Sequence, residues 1–159
     1  MGPEGEYLQK ANEYLSTAHY LLTVTYPIID NPRFFLSVLD HLFLGLTNLM
    51  AAFLSSETME ADVHSFEDTF ESKFALFKEI APKYLERSEE HIQLLQEIKD
   101  LIVAHRKSPV EFTRDNSFII CMEDYSTRKI TEEEIKKYIS RARLFFLDID
   151  EITSAQKSV

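Results

Sequence analysis

The chain reads as all-α: a four- to five-helix bundle with a small β-hairpin insertion before the last helix. Three observations predict this. Only three glycines and five prolines occur in 159 residues, too few for the turn chemistry of a sandwich or barrel. Apolar residues recur at spacings of three and four along most of the chain. Hydrophobic residues at 45% and charged residues at 28% are ordinary for a globular chain, and this length buries a core without staples. A single helical-bundle domain is expected over residues 6–153, with 1–5 and 154–159 as flexible termini.

The first helix is expected from Glu6 to Tyr26, with Leu8, Ala11, Leu15, Ala18 and Leu22 on one face. Tyr26-Pro27 is expected to stop it, because a residue before proline avoids the α region. Asn31-Pro32 then supplies an N-cap and a first-turn proline for a second helix running to Ser55. Phe34 to Leu54 is apolar nearly all round and long enough to cross a bilayer. Asp40 and His41 stand in its middle, which favours the central helix of a soluble bundle. Ser37, His41, Gly45, Asn48 and Ala52 form a stripe of mostly small residues along it. Such a stripe admits another helix closely, from this chain or from a second copy.

Ser65, with Asp68 three residues on, is expected to cap a third helix, whose Phe66, Phe70, Phe74 and Phe77 read as core rather than as a stacking platform. Pro82 should end or bend it. Ser88-Glu89-Glu90 opens the fourth helix with acids at the positive end of its dipole. Its stripe of Leu94, Ile98 and Leu101, extended by four, reaches His105. Ser108-Pro109-Val110-Glu111 has capping-box spacing and predicts a short helical turn. Phe118 to Met122 and Arg128 to Ile130, around an Asp124-Tyr125-Ser126-Thr127 turn, predict the hairpin. Thr131-Glu132-Glu133-Glu134 opens the last helix, in which Ile135, Tyr138, Ala142, Phe145, Ile149 and Ile152 keep the rhythm.

Charge narrows the function classes. The net charge is −10, which argues against coating DNA or RNA non-specifically. Residues 1–64 carry eight acids and two bases, whereas the stretch from Lys99 to Arg114 carries four bases and two acids. A local anion site there, with Lys107 and Arg114 as phosphate contacts, is the expectation. The lone Cys121 excludes an internal disulfide, and no N-terminal run reads as a signal peptide, so a cytoplasmic location is expected. Asp40-His41 with His19 or His105 would be the only metal-ligand grouping. No Glu-x-x-His pair accompanies it, so neither metal nor cofactor is expected.

His105-Arg106-Lys107-Ser108-Pro109-Val110-Glu111 gathers an imidazole, cations, a hydroxyl and a carboxylate where a helix meets an irregular segment. Imidazole exchanges protons near neutral pH, and guanidinium stabilises charge on phosphate. The same residues also serve as a helix C-terminus and a cap. The bundle layout, with Lys99-Asp100-Leu101-Ile102-Val103-Ala104-His105 late in the fourth helix, resembles the HEPN superfamily of small helical domains. Active members carry an arginine, a polar residue and then a histidine. The resemblance implies metal-independent RNA cleavage by motifs paired across a homodimer, with Asp100 at the polar position and His105 at the histidine. Lys99 stands in the arginine's place; Lys99 and Arg106 share one side of the helix. The segment from Ser108 to Cys121 is also similar to that of uncharacterised small archaeal proteins. The leading expectation is therefore a homodimeric HEPN-like interaction module with RNA or a protein as partner. The alternatives are an endoribonuclease with His105 as general acid/base, and a bundle holding an apolar ligand between the second and third helices.

Overall fold

The computed structural model describes residues 2–59, 62–63 and 65–155. Met1 and residues 156–159, expected to be flexible, lie outside them. The elements in order are α1 (Pro3–Tyr20), a π-helical turn (Leu21–Thr25), α2 (Tyr26–Ile29), a 3-10 turn (Pro32–Phe34) and α3 (Phe35–Ser55). Then come α4 (Phe70–Ile80), α5 (Ser88–Lys107), β1 (Val110–Arg114), β2 (Ser117–Cys121), β3 (Thr127–Ile130) and α6 (Glu132–Ala155).

α3 is the centre. Phe35, Leu39, Leu42, Leu46, Leu49 and Phe53 are sealed within the chain. Among the described residues its stretch Pro32–Ser55 is the one helix long and apolar enough to cross a membrane. Here other helices bury about half of its most apolar stretch. α1 lies antiparallel along it, Leu15 meeting Gly45 and the Tyr26 ring lying 4.8 Å from Phe35. A Cβ on Gly45 would stand 2.8 Å from Leu15 Cδ2, so the small-residue stripe admits α1 of the same chain at this point. α6 runs antiparallel to both α1 and α5. Arg143 reaches Asn12 and Ser16 on one side, while Asp148 and Arg141 meet His91 and Glu97 on the other. α4 closes the end of the core through Phe77, whose ring lies 5.3 Å from Phe53 and 5.4 Å from Phe145.

Four expectations are corrected. The first helix begins at Pro3 and buries Gly5, so residues 3–5 belong to the folded unit. It does not stop at Tyr26-Pro27. Pro27 has no N–H, and its ring would crowd the carbonyl four residues back. The chain instead widens by one residue, the Tyr26 N–H bonding Leu21 O, and continues to Ile29 before Asp30 ends it with φ 51°. The third helix starts at Phe70, five residues late. Thr69 caps it by accepting from the Ser72 N–H at 3.2 Å, a role expected of Ser65.

The fourth correction concerns the sheet. It has three antiparallel strands in the order β1-β2-β3, not a two-stranded hairpin. The helical turn expected at Ser108–Glu111 is replaced by the start of β1. Val110, Phe112 and Thr113 favour strand. Asp115 and Asn116 both take positive φ, as a two-residue type I′ turn demands, and pair Arg114 with Ser117. Phe118, Ile120 and Ile130 face the bundle and are buried, with the Arg33 guanidinium over the Phe118 ring. The expected turn at 124–127 is present, closed by the Met122 N–H on Ser126 O at 2.7 Å. The last helix keeps its Thr131 cap, 3.2 Å from the Glu134 N–H.

Candidate functional site

α5 delivers the segment singled out by the sequence, and the fold sends its side chains in different directions. His105 was expected to continue the buried stripe. The chain leaves the helix at Ser108 and β1 folds back beside it, so the ring sits at the rim with 35% of its side chain exposed. Its Nδ1 lies 2.7 Å from Glu111 Oε2 on β1. A carboxylate there fixes the proton on Nδ1 and leaves Nε2, which has no hydrogen-bond partner among the described residues, as the basic nitrogen. Ser108 is engaged elsewhere: its Oγ lies 2.7 Å from Val110 O and 2.8 Å from Cys121 O, fastening the helix end to β1 and β2.

The other expected site residues do not converge on His105. The Lys99 ammonium lies 5.2 Å over the Phe70 ring of α4. Asp100 accepts from Gln96 Nε2 at 2.8 Å and lines a different cavity. Arg106 is exposed and makes no ion pair among the described residues. Arg114, at the β1–β2 turn, is exposed with Nε 3.8 Å from Asp115. Among the described residues, His105 is brought into contact with Glu111 alone of this segment's charged groups, while Asp100 and Lys107 share the wall of a separate cavity.

A cavity of about 550 Å³ opens between α5 and the β2–β3 turn, where Asp100, Val103, Ala104, Lys107 and Met122 form its walls. A neighbour of about 440 Å³ shares Asp100, Ala104 and Met122 and extends to α6. Most of its cations are already held. Arg128 makes a bidentate pair with Glu134, and Arg141 bonds Glu97 at 2.6 Å. Burial alone would raise the Glu134 carboxyl, but hydrogen bonds from Arg128 and Tyr138 outweigh it and hold it below its ordinary range. The Tyr138 phenol is pushed well up, first by burial and then by its bond to Glu134. These groups form a closed network that braces β3 against α6.

The small-residue stripe also leads to α1. His41 Nδ1 bonds Ser37 O at 2.7 Å and its ring lies 6.2 Å from Tyr14. Asn48 donates to Leu44 O, and Ala52 is buried. A groove of about 760 Å³ crosses α1, α3 and α4 here, between Tyr7, Tyr14, His41, Phe43 and Lys73. Its walls are as polar as they are apolar, which suits an apolar ligand poorly. No group of three potential metal-ligand side chains occurs among the described residues.

Two features escaped the sequence reading. His91, on α5, is 2% exposed; its Nε2 lies 2.6 Å from Asp148 Oδ2 on α6, and its ring stacks on Phe145 at 4.4 Å. Arg87 Nε approaches the same carboxylate at 3.4 Å. Burial pulls the His91 imidazole below its ordinary range despite the opposing pull of Asp148. Counting back three from Leu94 on the apolar stripe lands on His91, and that was the available signal. The second feature is a row of exposed apolar side chains, Tyr20, Val24, Ile28 and Ile29, from the end of α1 across the π turn and α2. Ile28 is 80% exposed. Compared with protein-family models, with curated proteins and with solved structures, the chain gives no match, so function is read from its own chemistry.

Proposed function

We propose that the chain is a small helical interaction module that holds a protein partner on the row of Tyr20, Val24, Ile28 and Ile29. The supporting observation is the row itself. Four of the large exposed apolar side chains fall within ten residues, on a helix long enough to bury them had the fold required it. Clustered apolar surface of this kind marks contact sites, whereas scattered exposed side chains do not. The net charge of −10 favours a protein over nucleic acid on this face. Kinship with HEPN domains is part of the same proposal. A photo-crosslinking residue at Ile28 in cells is expected to give one discrete adduct that Val24→Asp abolishes. The same adducts from a control position at Glu86, or none at either, would refute the reading.

The His105–Glu111 pair favours a second reading, metal-independent RNA cleavage. Nε2 of His105 would take the proton of a ribose 2′-hydroxyl as its oxygen attacks the adjacent phosphorus. The bond to the 5′-oxygen would break, and that oxygen would leave with a proton taken from solvent water. Glu111 would hold the imidazole in the required tautomer. Cleavage in EDTA that His105→Ala removes, with the fold retained, is the expected result. Undiminished cleavage by that variant, or none by the wild type across varied RNAs, rejects it.

A further inference from the structure

We propose that the free edge of β1 pairs with β1 of a second copy, antiparallel and with Phe112 on the two-fold axis, to make a continuous six-stranded sheet. This surface is separate from the helix row above, and the inference supplies an interface for the homodimer expected from the sequence. β1 is the outer strand of the sheet, with Val110 55% and Phe112 38% exposed. Of the devices that usually blunt an edge, β1 carries an exposed charge at its turn end, Arg114, and an inward-pointing one, Glu111, but neither a bulge nor a lysine. Its register with β2 is regular over all five residues. Its one acid, Glu111, is engaged by His105 on the core side.

The turn decides which backbone groups face outward. Arg114 and Ser117 flank a two-residue loop and form a hydrogen-bonded pair, so Val110, Phe112 and Arg114 spend their N–H and C=O groups on β2. Glu111 and Thr113 therefore present theirs at the open edge. A second β1 must match these outward groups, which leaves three symmetric registers. Centring on Glu111 sets two glutamates directly opposite each other. Centring on Thr113 sets Glu111 opposite Asp115 of the other copy. Like charges in those positions are destabilising. Centring on Phe112 puts Glu111 opposite Thr113 and Val110 opposite Arg114, with the two Phe112 rings adjacent. Their pair is non-hydrogen-bonded, the closer of the two antiparallel spacings, and about four backbone hydrogen bonds flank it.

Sedimentation and engineered crosslinking test the interface on the full chain. The wild type is expected at twice the chain mass at tens of micromolar. Phe112→Lys, and Thr113→Pro, which removes an outward N–H without touching the β2 ladder, are expected at the chain mass with unchanged circular dichroism. Phe112→Cys in a Cys121→Ser background is expected to oxidise to a covalent dimer, while Arg114→Cys in that background is not. A wild type that sediments as a monomer overturns the proposal. So does a dimer that survives both blocking variants, and so does equal crosslinking at positions 112 and 114. Loss of the dimer with Val24→Asp alone would move the interface to the helix row and equally overturn this one. If a blocking variant fails to fold, the crosslinking pair still decides.

Discussion

α5 carries a histidine near each end, and each bonds a carboxylate from another element, yet the two occupy opposite surroundings. His91, on α5, faces α6 with Phe145 stacked on its ring and its Nε2 bonded to Asp148, whose carboxylate Arg87 also approaches. His105 lies at the rim, bonded to Glu111 of β1, with Nε2 free among the described residues. The bond lengths are nearly equal, at 2.6 and 2.7 Å. What differs is water. Burial makes the first pair a latch that joins two helices and pulls its imidazole below its ordinary range, whereas the second pair stands open to solvent at the rim. The same chemical pair is sealed into the core at one end of a helix and open to solvent at the other.

Removing each ring separates the two most strongly. His91→Ala deletes a stacked ring from the core and leaves Asp148 with Arg87 alone, so a loss of about 2–4 kcal/mol is expected in urea unfolding. A loss near that of a surface substitution would show that the latch carries no stability.

Acid should discriminate next. The folded pKa of His91 lies below its unfolded value of about 6.5. Above 6.5 neither state binds the proton and the residue contributes no pH dependence. Between 6.5 and the lower folded value only the unfolded chain binds it, so stability falls as pH falls, by up to about 1.4 kcal/mol per pH unit. Urea unfolding from pH 7.5 to 5.5 should show that decline, and His91→Phe should flatten it. An unchanged slope in the variant would remove burial as the distinguishing factor between the two histidines.

At the other end, His105→Ala should cost about 1 kcal/mol or less, as half-exposed pairs do. Its clearer effect should be local. Without the ring, β1 keeps only the Ser108 bonds at the end of α5, and amide exchange should quicken in β1 and β2 while α1 and α3 keep their protection. Uniform acceleration across the chain would mean that the sheet and bundle unfold as one unit, and the contrast between the two ends would be lost.

The helical end was also the more legible one. Leu94, Ile98, Leu101 and the α6 stripe were readable because burial repeats at the helical period, and all of the first three are sealed. His91 follows the same rhythm but hides, because a polar side chain in an apolar stripe declares itself only when its partner is known. Asp148 is 57 residues away. The sheet end was harder. Ser108-Pro109-Val110-Glu111 satisfies a capping rule locally, and the Asp115-Asn116 turn overrules it by bringing β2 alongside. The π turn escaped because proline rules predict a stop, while a helix already packed on α3 gains more by widening. His105 was found as a candidate from residue type, but its partner Glu111 was assigned to a cap, since the fold-back that joins them is tertiary.

Backbone strain supplies the smallest contrast between the two ends. Positive φ occurs at Asp115, Asn116 and Tyr125 around the sheet, and elsewhere among the described residues only at Asp30. Aspartate and asparagine tolerate that region, but a tyrosine at φ 68° does not. Tyr125 is 94% exposed, so its ring gains little from packing to offset the strain. Its N–H bonds Met122 O at 3.0 Å, a backbone contact that any residue makes. Tyr125→Asn should therefore stabilise the chain by roughly 0.5 kcal/mol, with the gain confined to slower exchange in β2 and β3. Destabilisation by this variant would mean that the tyrosine ring contributes more to the sheet end than its exposure implies, and the strain there would need another source of compensation.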